Sequence, residues 1–191
     1  VWASNVNWTT EGGYMDDNSM EIDGYFGFAG DLGETGIGYD VHQLVKGESL
    51  VIGSVVIPSD LGSLGHSDGD ALIHAICDAL LGAASLGDLG CFFPSEESKW
   101  KDLESRYFLF EVISKVKKEG YVINNIDTTV VLKSPKLSLY IGDIKKNLVK
   151  ITGLKKNQIS IKATTTDNLG FIGNGLGWAS LAIVTISDKN D

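Results

Sequence analysis

The sequence predicts one layered α+β domain in which helices cover one face of a β-sheet. Strand-like segments at 36–42 and 50–57 come first, two amphipathic helical segments follow, and the C-terminal half then reads β-α-β-β. Elements in this order are typical of α+β folds. With 191 residues and 43% hydrophobic content, the chain is long enough for one substantial core and short for two.

Residues 1–35 are predicted to be an acidic N-terminal extension of a domain that spans 36–191. The extension contains seven Asp or Glu and no Lys or Arg, so it carries −7 of the net charge of −9 and leaves −2 for the domain. It shows no sustained periodicity, and we expect it to be poorly ordered. A near-neutral domain with an acidic end argues against nucleic acid as a partner, because nucleic-acid binding requires a basic surface.

The first predicted strand, residues 36–42, reads Gly-Ile-Gly-Tyr-Asp-Val-His. Side chains alternate along a strand, so the three large apolar residues should share one face, and Asp40 and His42 should point together from the other. The next segment, 50–57, is rich in β-branched residues and is interrupted at Gly53, which predicts a hairpin.

The central helix is predicted from a start signal and an apolar surface. Ser67 followed three residues later by Asp70 resembles a capping box, so the helix should begin near Asp68. It should end between Gly82 and Gly87, where glycines become frequent.

One stripe of this helix is polar, because Asp70, His74 and Asp78 recur every fourth residue. An imidazole beside carboxylates is a common arrangement for a metal-binding His. Together with Asp40 and His42, His74 would provide three ligands and leave one position of a tetrahedral ion open, which is the pattern of a catalytic zinc site. The alternative is a solvated polar face that carries a surface His.

The later elements complete the fold. The final strand is apolar on both faces and should be central in the sheet. Cys77 and Cys91 are not arranged as a CxxC pair, and two unpaired thiols fit a reducing compartment. The remaining predicted elements are a loop from Gly87 through Pro94, helices over 100–119 and 137–151, and strands over 122–133, 158–166 and 178–187.

A second candidate site follows the strand at 158–166, where residues 162–167 read Lys-Ala-Thr-Thr-Thr-Asp. Hydroxyls and strand-end amides can bind phosphate oxygens, and the carboxylate of Asp167 could hold a Mg²⁺ ion shared with those phosphates. Threonine runs are ordinary in strands, so the string by itself is also compatible with a purely structural segment.

Several of these motifs together resemble the 2-C-methyl-D-erythritol 2,4-cyclodiphosphate synthase family. The resemblance covers residues 36–187. The motifs that carry it are Tyr-Asp-Val-His at 39–42, His-Ser-Asp-Gly-Asp at 66–70 with His74, the Asp-Ala-Leu-Leu-Gly-Ala-Ala run from Asp78, and Lys-Ala-Thr-Thr-Thr at 162–166.

The resemblance implies roles for individual residues. Residues expected to carry the chemistry are Asp40, His42, His74, Thr165 and Asp167. Among these, zinc would be held by Asp40, His42 and His74, and Mg²⁺ or Mn²⁺ by Asp167 with the substrate. Residues expected to bind the substrate are His66, Ser67, Asp88, Gly90, Lys136, Leu137, Ala163 and Thr165.

The resemblance also implies an activity and an assembly. The expected enzyme is a lyase of the non-mevalonate isoprenoid pathway that converts 4-diphosphocytidyl-2-C-methyl-D-erythritol 2-phosphate into 2-C-methyl-D-erythritol 2,4-cyclodiphosphate and CMP. The expected fold is a ferredoxin-like mixed sheet with helices on one face, assembled as a homotrimer with active sites shared between neighbouring subunits.

Two alternatives to a cyclising lyase stay open: a metal-dependent phosphohydrolase, and a metal-stabilised nucleotide-binding module without turnover. Asp167 is one methylene shorter than the Glu common in the family, and Asn174 and Leu176 replace an Arg and a Glu common in bacterial members. These departures leave the chemistry in place but put any phosphate-binding role of the last loop in doubt.

The expected location is a plastid-type organelle, either apicoplast or chloroplast stroma, with the bacterial cytoplasm as the alternative. The basis is composition, since fifteen of the sixteen basic residues are Lys and only Arg106 is Arg, which suggests an AT-rich genome. No apolar run approaches the length of a membrane span, so no membrane partner is expected.

Overall fold

The computed structural model describes residues 14–16, 19–21, 34–65, 67–94, 97, 100 and 103–189. The chain divides into two units, Val1–Leu32 and Gly33–Asp191. In the first unit, strands β1 (Tyr14–Asp16) and β2 (Ser19–Glu21) pair antiparallel. The predicted disorder of the extension stays a prediction, and the first strand of the second unit already begins at Glu34.

The second unit contains the elements of the predicted domain. Its strands are β3 (Glu34–Val45), β4 (Leu50–Ile52), β5 (Val55–Ile57), β6 (Gly62–Leu64), β7 (Tyr121–Val131), β8 (Ile159–Thr164) and β9 (Gly177–Asp188). Its helices are α1 (Ala71–Ala83), α2 (Leu89–Phe92), α3 (Ser105–Lys118), α4 (Ile141–Thr152) and α5 (Gly170–Gly173). Two 3₁₀ turns lie at Leu137–Leu139 and Lys156–Gln158.

The main sheet has the strand order β6-β3-β9-β7-β8. β9 runs antiparallel to both β3 and β7, whereas β7 and β8 are parallel, so the sheet is mixed and its last strand is central, as predicted. β4 and β5 form the predicted hairpin as a separate pair.

The ferredoxin-like prediction is wrong in connectivity. The four longer strands of this sheet follow one another as β-α-β-α-β-β, with only the four-residue α5 between β8 and β9. A ferredoxin-like sheet is connected as β-α-β-β-α-β. The order of the longer elements predicted from the sequence was correct, and the error came from the fold name that the resemblance implied.

The helices form one layer over the sheet. α1 packs on β3 and β9, α3 packs on α1, and α4 packs on α3 and β8. The other side of the central strands exposes a row of apolar side chains, with Ile37 paired to Ile183 and Tyr39 paired to Leu181. Among these, Ile37 is 70% exposed, so the described part of the second unit has one apolar, exposed sheet face.

Two glycines of β3 allow α1 to approach the sheet unusually closely. A Cβ atom at Gly36 would lie 1.9 Å from the carbonyl oxygen of Ala79, and one at Gly38 would lie 1.9 Å from that of Ala75. Both alanines are buried. Because the atoms in the way belong to the helix backbone, they cannot rotate aside, and only glycine fits at these two positions.

The start of α1 differs from the prediction. The helix begins at Ala71 with Asp70 as its N-cap, and the Asp70 carboxylate accepts a hydrogen bond from the Ile73 N–H at 3.2 Å. Gly69 has a φ of +64°, a left-handed conformation that interrupts the helix before Ser67 could cap it. The capping-box interpretation was therefore wrong by one turn.

Other boundaries also shift. Residues predicted as loop at 89–92 form the short helix α2, and α3 begins at Ser105 rather than Trp100. The segment predicted as one helix at 137–151 is a 3₁₀ turn followed by α4. Among the described residues, no helix combines the length and apolar character needed to cross a bilayer.

We expect Gly38→Ala to lower the free energy of unfolding by about 1–3 kcal/mol, the range for overpacking a dense core. The added methyl group would meet the backbone of α1, so the helix must move away from β3. Gly82→Ala is the matched control, because Gly82 is exposed on α1 with nothing within 4 Å of an added Cβ. It should raise stability by about 1 kcal/mol through helix propensity. Urea denaturation would measure both, and equal stability of the two variants would contradict the packing argument.

Candidate active site

The contact between α1 and β3 also assembles a group of metal-ligand side chains. Asp40 and His42 follow Gly38 on the face of β3 that meets α1, and His74 precedes Ala75, the residue that rests on Gly38. The predicted alternation is correct, since Ile37 and Tyr39 point to the exposed face. Two residues from a strand and one from a helix therefore meet at one point.

The three side chains are half-buried and converge closely. The Asp40 Oδ2 atom lies 3.1 Å from His42 Nε2 and 3.0 Å from His74 Nδ1, and the two nitrogens are 3.3 Å apart. Ligand atoms of a tetrahedral zinc ion at its usual bond lengths lie about 3.3 Å from one another. Two imidazole nitrogens and one carboxylate oxygen at this spacing fit such an ion.

Hydrogen bonds on the outer side of each imidazole define which nitrogen faces the centre. His42 donates from Nδ1 to the carbonyl oxygen of Leu64 at 2.9 Å. His74 has its Nε2 atom 2.9 Å from the hydroxyl oxygen of Ser105. With protons on these outer nitrogens, His42 Nε2 and His74 Nδ1 can direct their lone pairs at a metal ion in place of their contacts with Asp40.

The charges of the group also suit a cation. Burial disfavours the ionised form of Asp40, but hydrogen bonds from His42 and His74 outweigh it and hold the pKa of Asp40 below its usual range. Burial likewise disfavours protonation of His42, but its hydrogen bond and attraction to Asp40 raise the pKa of His42 above its ordinary value. The carboxylate is thus anionic at neutral pH, and protons and metal compete for the imidazole.

The acid–imidazole–acid stripe predicted on α1 is wrong as a description of the surroundings of His74. Asp70 is fully buried and accepts from the Ser54 N–H at 2.7 Å, and burial raises the pKa of Asp70 to about 6. Asp78 accepts from the Leu89 N–H at 2.8 Å. Both carboxylates thus accept hydrogen bonds from backbone N–H groups of neighbouring segments, and neither one holds His74.

Among the predicted substrate-binding residues, Ser67 borders the metal group and Asp88 lies at the N-cap of α2. Ser67 Oγ lies 3.4 Å from His74 Nε2, whereas His66 lies outside the described residues. Asp88 caps α2 by accepting from the Cys91 N–H at 2.9 Å, which holds the pKa of Asp88 below its usual range. Asp88 and Gly90 are exposed at the start of α2, and the Leu89–Asp78 hydrogen bond ties this segment to α1.

The structure also brings Lys136, Leu137, Ala163 and Thr165 together, as the second candidate site requires. They line a pocket of about 280 Å³ between the segment after β7 and the end of β8. Asp167 follows in a left-handed conformation with a φ of +49°, and its Oδ1 atom accepts from the Thr165 hydroxyl at 3.2 Å. The remaining lining residues are Leu132, Lys133, Pro135, Ser138, Ile141 and Thr164.

Within one chain the metal group and this pocket stay apart. Asp40 pairs with Ser180, Ser180 with Val130, and Val130 with Ala163, so Asp40 and Ala163 occupy one row across four strands. Three strand spacings separate them by about 14 Å. The two candidate sites therefore share one end of the sheet without sharing a residue.

Comparison with known proteins explains why these motifs occur together. Residues 34–187 match the family model described as YgbB family. The chain belongs to the YgbB family. A family relative named 2-C-methyl-D-erythritol 2,4-cyclodiphosphate synthase, from Alkaliphilus metalliredigens, is 50% identical over 154 residues, which cover 81% of this chain and 97% of the relative.

Comparison with solved structures points to the same family. One titled as 2C-methyl-D-erythritol-2,4-cyclodiphosphate synthase in a CDP-bound form has a TM-score of 0.75 and 32% identity, covering 80% of this chain and 99% of that one. The bifunctional IspDF of Campylobacter jejuni gives a TM-score of 0.79 and 38% identity over 83% of this chain. This chain spans 43% of that longer protein.

Sequence reasoning missed Ser105, Asp68 and the carbonyl of Leu64 as neighbours of the metal group. Ser105 is 31 residues from His74, and nothing in its local sequence marks it as a partner. Asp68 lies inside the His-Ser-Asp-Gly-Asp motif but was considered only as the start of the helix. A contact between distant segments of this kind becomes visible only in the folded chain.

We expect the folded protein to bind one divalent metal ion per chain, and His74→Ala to abolish that binding. The fold should persist because His74 is half-buried and is not part of the apolar core. Asp78→Asn is the control one turn along α1, because an Asn side chain can still accept from the Leu89 N–H and Asp78 does not belong to the group of converging ligands. Elemental analysis of protein purified without chelator, with circular dichroism for the fold, tests this. Equal metal content in His74→Ala and Asp78→Asn would contradict the assignment.

Proposed function

We infer that the chain is a lyase that converts 4-diphosphocytidyl-2-C-methyl-D-erythritol 2-phosphate into 2-C-methyl-D-erythritol 2,4-cyclodiphosphate and CMP in the non-mevalonate isoprenoid pathway. The observation that carries this conclusion is the convergence of Asp40, His42 and His74 in a chain that aligns with 97% of a relative of that name. The pocket at Lys136 and Thr165 also supports it, because structures similar to this chain have been solved with CDP, and a nucleotide of that kind requires a binding pocket.

The reaction is an intramolecular phosphoryl transfer. An oxygen of the 2-phosphate attacks the β-phosphorus, the bond from that phosphorus to the bridging oxygen breaks, and CMP leaves with that oxygen. The nucleophile is already anionic, so the protein needs no strong general base. Its task is to fold a polyanion back on itself and to stabilise negative charge in the transition state.

We propose Zn²⁺ at Asp40, His42 and His74, and Mg²⁺ or Mn²⁺ at Asp167. Bound there, the two ions would supply Lewis-acid polarisation of the diphosphate oxygens. Asp167 is exposed and offers a single carboxylate, which suits an ion that takes its other ligands from water and phosphate. Two cations also explain how a protein with a net charge of −9 can accept an acidic substrate.

The remaining site residues would bind the two ends of the substrate. We propose that Lys136, Leu137, Ala163 and Thr165 hold the cytidine diphosphate in the pocket that they line. The other four predicted residues would contact the methylerythritol phosphate. These are His66, Ser67, Asp88 and Gly90.

The two alternatives from the sequence are less well supported. A structural zinc site normally has four protein ligands, whereas three converge here among the described residues, which argues against a binding module without turnover. A phosphohydrolase would release inorganic phosphate, and the cyclase would not. Mass analysis of the products formed from the cytidylyl substrate therefore separates these activities directly.

We further propose a homotrimer in which each active site combines the metal group of one subunit with the pocket of its neighbour. Paired catalytic metals in phosphoryl transfer lie about 3.5–4 Å apart, but the two halves are about 14 Å apart in one chain. The uncovered apolar face of the sheet, which includes Ile37 and Tyr39, offers a surface for subunit contact. A heterologous interface of this kind closes into a ring.

The location also stays a proposal. We retain a plastid-type organelle, supported by the ratio of fifteen Lys to one Arg. The bacterial cytoplasm is the alternative, and the bacterial origin of relatives such as those from Alkaliphilus metalliredigens and Salinibacter ruber favours it.

Mixing two inactive variants tests the shared site. His74→Ala removes a metal ligand, and Asp167→Asn removes a carboxylate while keeping a residue that tolerates the left-handed conformation. If equal amounts are dissociated and reassembled, a site is intact only when both contributing halves are unmutated. Random assembly gives this with a probability of one half times one half, so about a quarter of wild-type activity should return.

Each variant dissociated and reassembled alone is the control and should stay inactive. Native mass spectrometry would confirm that mixed trimers have formed. Mixed trimers without recovered activity would show that both halves come from one chain, whereas the absence of trimers would refute the assembly itself.

A further inference from the structure

We infer that Asp68 and Ser105 form a hydrogen-bonded relay that holds His74 in its metal-binding tautomer and orientation. Both are positioning residues that act through His74 rather than on the substrate. The inference rests on the proposed function only in requiring that a metal binds at Asp40, His42 and His74.

The relay has a defined direction. Ser105 is the first residue of α3 and is fully buried, and its hydroxyl hydrogen-bonds to Asp68 Oδ1. Its backbone N–H donates to Asp68 Oδ2 at 3.1 Å. A carboxylate can only accept, so the single hydroxyl proton of Ser105 goes to Asp68. The Ser105 oxygen is then only an acceptor towards His74, so this hydrogen bond requires a proton on His74 Nε2.

This direction matters because His74 has a competing hydrogen bond. Its Nδ1 atom lies 3.0 Å from Asp40 Oδ2, so a proton on Nδ1 would bind the carboxylate and block the ligand position. The bond from Nε2 to Ser105, at 2.9 Å, favours the other tautomer. Without Ser105, the acceptor left to Nε2 among the described residues is Ser67 Oγ at 3.4 Å, which would make a long and weak hydrogen bond. The relay therefore favours the tautomer in which His74 Nδ1 carries no proton and can bind a metal, over the tautomer in which Nδ1 donates to Asp40.

The same contact ties two parts of the site together. The N-cap residue of α3, Glu104, makes no capping hydrogen bond, and the Asp68 carboxylate instead binds the first N–H of the helix. Ser67, the neighbour of Asp68, lies 3.5 Å from the Ser105 hydroxyl. Asp68 thus anchors the segment before α1 to α3 while it orients the metal ligand.

The test measures metal affinity by chelator competition in wild type, Ser105→Ala, Asp68→Asn and the double variant. Each single variant should bind Zn²⁺ about 10–100-fold more weakly, the usual effect of losing a partner behind a metal-bound His. Asn offers one acceptor oxygen for the two donors of Ser105, so it cannot replace Asp68. Because both residues act through one relay, the double variant should be about as weak as the weaker single variant. Losses that multiply would show independent effects and overturn the relay.

Two further variants separate positioning from stability. Ser105→Thr keeps the hydroxyl and should restore metal affinity to within a few-fold of wild type. Thr152→Val removes a buried hydroxyl that bonds to the Leu148 carbonyl in α4, so it should lower thermal stability without changing metal affinity. If the Thr methyl prevents folding at position 105, Asp68→Asn and the double variant still decide the question.

Nitrogen-15 NMR of the metal-free protein gives a direct readout of the tautomer. In wild type the His74 proton should be on Nε2, and in Ser105→Ala a substantial fraction should move to Nδ1. Reduced stability of Ser105→Ala with an unchanged tautomer and wild-type metal affinity would overturn the inference. That result would leave the proposed function intact if wild type still formed the cyclic product, whereas a wild type that binds no metal would overturn both.

Discussion

The structure depends on the contact between the two glycines of β3 and the backbone of α1. Gly36 and Gly38 leave no Cβ between strand and helix, so the carbonyl groups of Ala79 and Ala75 lie directly on the strand. This close approach places His74 beside Asp40 and His42, and α1 is lined with fully buried residues of the hydrophobic core. The motif Gly-x-Gly-x-Asp-x-His thus has two linked roles. Its glycines allow the helix to pack closely, and the Asp and His on the same strand face then meet His74 of that helix.

Some polar side chains around this contact hold the backbone of neighbouring segments, and others form the metal group. Asp70 and Asp78 lie one turn on either side of His74, yet both bind backbone N–H groups of adjoining segments. Asp68, which belongs to the same motif, binds Ser105 instead. Each buried carboxylate has donors that offset its desolvation, because an unpaired buried charge would cost several kcal/mol. Within the part of the chain that the structure describes, only the group of Asp40, His42 and His74 directs its ligand atoms at a common centre.

The layered fold leaves two features unused within one chain. One face of the sheet exposes apolar side chains, and the metal group lies about 14 Å across the strands from the pocket at Lys136 and Thr165. Both features have one explanation if subunits meet through the apolar face and bring unlike halves together. In that case each half is built on rigid elements of one subunit, and assembly brings the halves of two subunits close together.

The sequence by itself determined the features that follow from local periodicity and composition, namely which side chains share a strand face and which strands are buried. Alternation in β3 predicted that Asp40 and His42 share a face, and apolar content predicted a central last strand, because side-chain direction and burial follow the chain residue by residue. Tertiary structure alone decided the true cap of α1, the partners of Asp70 and Asp78, and the bond from Ser105 to His74. Hydrogen-bond partners are chosen by proximity in space, and a left-handed Gly69 or a serine 31 residues away has no periodic signal that would reveal that proximity.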